Sequence, residues 1–143
     1  MGARQDRIVL AKLGLDGHDV GILLVAKHLM NAGFEVIYLG KRLPTANVVA
    51  AAIQEDAAAI GLSCLSGGLG HFATKVVEEL REQQVEIPVF AGGIDEPEEL
   101  ERMLAAGVRG HFGPSSSVDD IVRQFREAID ESNANVTPDG HQA

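Results

Sequence analysis

The segment Leu13-Gly14-Leu15-Asp16-Gly17-His18-Asp19-Val20-Gly21 holds the residue types in this chain best suited to chemistry. Neutral imidazole is the commonest metal ligand among side chains. A ligating histidine usually donates its second ring N–H to a carboxylate or carbonyl, which fixes the tautomer and strengthens the donor nitrogen. Asp16, two residues before His18, suits that supporting role, and Lys12 is placed to pair with Asp16 in turn. The same stretch also reads as a tight turn, with Asp19 capping the next helix and His18 in solvent, because Gly and Asp favour turns. A bare divalent-metal site from Asp16, His18 and Asp19 would need more ligands than this loop supplies.

Hydrophobic periodicity sets the elements that must hold this loop. Residues 7–13 form a β-branched, apolar run and read as a first strand. Residues 20–31 follow with Ile22, Val25, Ala26, Leu29 and Met30 at helical spacing, Asp19 as the N-cap and Gly33 as the stop. Strands are expected over 34–39, 58–63, 87–91 and 108–112. Helices are expected over 46–55, about 72–83, 96–106 and 118–131, the last capped by Ser116 or Ser117. A glycine-rich loop at 66–70 opens the third helix, Gly92-Gly93 follows the fourth strand, and Gly107 stops the fourth helix. The polar stretch 132–143 is expected as a flexible tail, leaving 1–131 as one domain.

Five strands alternating with five helices imply an α/β fold, a doubly wound parallel sheet of order 2-1-3-4-5 with helices on both faces. In such a sheet, ligands bind beyond the carboxyl ends of the strands where the winding reverses, here between strands 1 and 3. The loops that matter are therefore 14–21 and 64–70, flanked by 92–95 and 113–117.

Composition narrows the function. The chain has 143 residues, 45% of them apolar, enough for one domain with a proper core. A net charge of −9 argues against a nucleic-acid binder, which needs a basic face. Cys64 is the single cysteine, so an internal disulfide and a multi-cysteine zinc site are both excluded. No apolar run approaches the roughly 20 residues of a membrane span. The polar start lacks a signal-peptide pattern, so a cytoplasmic location is the default expectation.

Asp16-x-His18-x-x-Gly21, then Ser63-x-Leu65, then Gly92-Gly93 resembles the three-part pattern of B12-binding domains in adenosylcobalamin-dependent mutases and methionine synthase. Over about residues 7–129 the chain is similar to the small subunit, or C-terminal domain, of methylmalonyl-CoA mutase and its acyl-CoA mutase relatives. Further matching stretches are 10–21, 31–40, 52–56, 62–67, 106–108 and 112–114. The resemblance implies a flavodoxin-like fold and a cobalamin-binding subunit of an adenosylcobalamin-dependent acyl-CoA mutase. It implies His18 as the lower axial cobalt ligand, Asp16 hydrogen-bonded to it, and Lys12 extending that relay. Gly17, Gly21 and Gly67 belong to the same cofactor loops. The nucleotide tail would enter between strands 1 and 3, lined by Ser63 and Leu65, with backbone room at Gly92 and Gly93. Phe112 and Gly113 would contact its distal end. Rearranging an acyl-CoA also needs a barrel of about 250 residues, so the resemblance implies a separate large TIM-barrel subunit carrying the acyl-CoA site. On this reading the chain is not active alone. Family members often carry Arg or Lys where Val20 stands, and His or another larger residue near Leu69, where this chain has His71 two positions on.

A corrinoid carrier for methyl transfer would use the same loops, but such proteins usually carry a helical domain ahead of them. Gly68-x-Gly70-x-x-Ala73 fits a dinucleotide fingerprint poorly, because no acidic residue ends the following strand. A phospho-receiver would need an aspartate where Ser63 ends strand 3, and a flavodoxin proper a Ser/Thr-rich phosphate loop after strand 1. Cys64 reads as a buried small residue, His71 as a solvated residue at the start of helix 3, and His28, His111 and His141 as members of no constellation. The acidic run 95–101 reads as a helix N-terminus with a solvated face.

Overall fold

The computed structural model describes residues 6–14 and 20–134. Five strands, β1 (Arg7–Lys12), β2 (Glu35–Tyr38), β3 (Ala59–Cys64), β4 (Val89–Gly93) and β5 (Gly110–Phe112), alternate with five helices. The helices are α1 (Val20–Asn31), α2 (Thr45–Gln54), α3 (Leu69–Glu82), α4 (Pro97–Ala106) and α5 (Val118–Ala134). All strands are parallel, in the order β2-β1-β3-β4-β5 expected from the sequence.

Strand residues alternate between two cores, because successive side chains point to opposite faces of a sheet. Val9, Ala11, Ile60, Leu62, Val89 and Ala91 pack with α2, α3 and Met103 of α4. Ile8, Leu10, Ala59, Phe90 and Phe112 pack with Ile22, Ala26 and Leu29 of α1 and Ile121, Phe125 and Ile129 of α5. Both faces of the central strands are covered, which explains their near-continuous apolar sequences. At the amino end Arg7 pairs with its register partner Glu35 at 2.9 Å and with Glu55 at 3.4 Å. The hydrogen bond and charge of Glu35 raise the Arg7 guanidinium above its ordinary value.

Helix boundaries show where local and distant effects divide. Gly33 and Gly107 end α1 and α4 with φ of +103° and +123°, and Ser117 Oγ caps α5 by accepting the Asp120 N–H at 3.1 Å. The third helix begins at Leu69, three residues before the expected Phe72. Its Gly70 N–H is capped at 2.8 Å by Asp95 Oδ2, from the loop after β4, a partner that no local window contains. The fourth strand starts at Val89 and takes in Gly92 and Gly93, because both pair with β3. The last helix runs on to Ala134, three residues past its expected end.

Candidate functional site

Strand register gathers residues that the sequence scatters. Lys12 pairs with Ser63, Ser63 with Gly92, and Gly92 with Phe112. Four expected site residues from four strands thus form one row across the carboxyl edge of the sheet. In a parallel sheet register partners share a face, so the row lies on the α1–α5 side, where Phe112 packs.

The row two residues earlier on that face is Leu10–Gly61–Phe90–Gly110. There the space over Gly61 is filled: an added Cβ would lie 2.5 Å from Leu10 Cδ2 and 3.1 Å from Phe125 Cζ. Over Gly92 the described residues leave it open. Among them a Cβ there would meet only the Leu62 and Phe112 carbonyls, at 3.7 and 3.8 Å. Ser63 beside it is half-buried, and its hydroxyl makes no hydrogen bond among the described residues. The row is therefore a slot floored by a hydroxyl and a bare Cα, suited to a flat group with polar atoms on its rim. Lys12 closes one end and is 1% exposed. Burying an ammonium costs several kcal/mol unless it is paired.

The other expected residues divide. Gly21 stands exposed on the first turn of α1, with no described residue within 4 Å of where a Cβ would sit. Leu65 is 51% exposed, directly past the end of β3. Gly67 turns the following loop at φ +93°, and its carbonyl accepts a hydrogen bond from the buried Cys64 thiol at 3.2 Å. Gly113 is half-buried just past β5.

Two expected residues have structural reasons of their own. At Gly93 a Cβ would lie 2.0 Å from the Cys64 carbonyl oxygen, so strand pairing and a φ of +134° dictate glycine there. The Phe112 side chain is buried against Phe90, with ring centroids 5.5 Å apart and 12° between planes, so only its backbone reaches the edge. Asp16, Gly17, His18 and Asp19 lie outside the described residues.

Sequence reasoning missed two side chains at this edge. His111 Nε2 bonds the Gly93 carbonyl at 2.7 Å, and Asp95 accepts from both Gly70 N–H and Glu96 N–H at 2.8 Å. His71 is exposed on α3, as expected. A wide depression of about 940 Å³ lies at the opposite, amino end, between Arg81, Glu86, Pro88 and Arg109, and none of the expected residues lines it.

In a doubly wound α/β sheet ligands bind beyond the carboxyl ends of the central strands, where this row lies. Residues 6–118 match the B12 binding domain family, and the chain belongs to it. It is 41% identical over 124 residues to the 2-hydroxyisobutanoyl-CoA mutase small subunit of Aquincola tertiaricarbonis, covering 86% of this chain and 91% of that protein. It is 39% identical over 123 residues to the pivalyl-CoA mutase small subunit of Xanthobacter autotrophicus, covering 85% and 82%. Against the ethylmalonyl-CoA mutase of Cereibacter sphaeroides it is 36% identical over 108 residues, but spans only 17% of that protein. A cobalamin-binding protein from Desulfitobacterium hafniense shares the fold, with a TM-score of 0.74 at 23% identity over 87% of this chain and 60% of that one. Among the described residues no helix is long and apolar enough to cross a membrane.

Proposed function

We propose that this chain is the cobalamin-binding small subunit of an adenosylcobalamin-dependent acyl-CoA mutase, with His18 as the lower axial ligand of cobalt. The observation that carries the reading is the open Lys12–Ser63–Gly92 row at the mouth of the β1–β3 crevice. Its small and polar residues suit a displaced heterocyclic base, and the segment with His18 follows β1 in the chain. When bound, adenosylcobalamin supplies radical chemistry through its cobalt–carbon bond.

The chain's own residues bind and orient. His18 would present one ring nitrogen to the metal and donate the other N–H to Asp16, which would hold the imidazole in the ligating tautomer. Asp16 would also place a countercharge near buried Lys12. Ser63 offers its hydroxyl to the base in the slot. Leu65 and Ile94, 51% and 56% exposed, follow the paired ends Cys64 and Gly93 and give the edge an apolar rim.

A separate large barrel subunit carries the acyl-CoA site in this reading. The small-subunit relatives, matched along most of their length, support it. The test is the visible spectrum of the full chain mixed with adenosylcobalamin. Wild type is expected to give the histidine-ligated, base-displaced form, and His18→Ala to lose it. An identical spectrum from His18→Ala would remove the axial role. Isomerase turnover by this chain without any partner would remove the subunit assignment.

A further inference from the structure

The Gly92-Gly93 end of β4 is held more firmly than its sequence suggests. The ladder between β4 and β5 ends at Gly92 and Phe112, so the Gly93 carbonyl lies one residue beyond the last strand partner. His111 takes the place of that missing partner, with Nε2 2.7 Å from the Gly93 oxygen. A carbonyl only accepts, so Nε2 carries the proton and donates it. Three residues on from Gly92, Asp95 fixes the far side of the turn through the Gly70 and Glu96 amides. Between the two anchors Ile94 stands 56% exposed. The backbone thus held has a φ of +134° at Gly93 and includes the bare Cα of Gly92 that floors the slot.

We propose that His111 is a positioning residue for the cofactor: its bond to the Gly93 carbonyl presets the Gly92–Gly93 backbone that flanks the slot. The inference rests on the cobalamin reading above and adds a residue outside the row that lines the slot. Its physical basis is preorganisation. A turn already held in the bound shape has less ordering to lose when ligand arrives. Without the imidazole the terminal carbonyl turns to water, and binding has to restrain the turn itself.

The test is calorimetric titration of the full chain with adenosylcobalamin, set beside thermal unfolding of the ligand-free protein. His111→Leu removes the donor at similar volume. His111→Gln keeps a donor nitrogen at the same number of bonds from Cβ. His111→Leu is expected to bind about 10-fold more weakly, and His111→Gln to recover to within about threefold of wild type. The bound spectrum is expected to stay that of wild type in both, because the metal ligand is untouched. Should His111→Leu fail to fold, His111→Asn, whose amide stops one bond short, replaces it with the same expected loss. Binding by the donor-free variant within twofold of wild type would overturn the proposal. So would His111→Gln binding as weakly as His111→Leu. Failure of wild type itself to bind cobalamin would instead overturn the cofactor reading.

Discussion

Two neighbouring rows on the same face of the sheet differ in how they end. Leu10–Gly61–Phe90 is sealed from above by Phe125 of α5, whose ring lies within 4.4 Å of the Phe90 ring by centroids. Lys12–Ser63–Gly92, two residues further along the strands, has small or polar residues and, among the described residues, no aromatic over its glycine. On the opposite face the apolar pattern runs to the edge without a break, through Leu13 and Cys64, both fully buried. The contrast teaches that the crevice is one-sided. Among the described residues the core packs closely over Gly61, while over Gly92 it leaves space at the carboxyl edge.

The sharpest way to break this comparison is to remove the seal. Phe125→Ala is expected to destabilise the fold by about 4 kcal/mol, as large-to-small changes at buried aromatics do. Urea unfolding measures it. A loss under about 1 kcal/mol would mean that the row is not sealed as described. Next, Gly61→Ala places a methyl against Leu10 and Phe125 and is expected to cost about 2 kcal/mol by overpacking. Cobalamin affinity of the folded fraction should not change.

Gly92→Ala tests the other row and should behave in the reverse sense. With only ordinary contacts waiting for its methyl, stability is expected to stay within about 1 kcal/mol of wild type. Cobalamin binding is expected to weaken about 10-fold, because the methyl occupies the slot floor. Equal effects of the two glycine substitutions on stability and on binding would erase the distinction between the rows. The smallest effect belongs to Ser63→Ala. Removing one unpaired hydroxyl should leave the unfolding midpoint in place and reduce affinity about threefold, the value of one modest hydrogen bond.

Much of this was legible before any coordinates. Alternating apolar runs and turn residues located all ten elements, and glycine at 33 and 107 marked helix ends, because such signals are local in the chain. Ser63 and Gly92 were picked out as cofactor residues, and their placement at strand ends followed from the same reading. Gly93 and Phe112 were picked out too, yet their reasons differ. The carbonyl of Cys64 excludes any side chain at 93, and the Phe90 ring holds Phe112 inward.

The amino-acid order alone determined a doubly wound domain and the strand ends where a ligand must sit, since periodicity and turn chemistry act over a few residues. Tertiary structure decided which face stays open, which glycine is filled, and which side chains clamp the turn after β4. Those outcomes depend on register between strands far apart in the chain. Asp95 meets Gly70 from 25 residues away, and His111 meets Gly93 from 18. No local pattern encodes such pairs, because hydrogen bonds depend on distance in space and not along the chain.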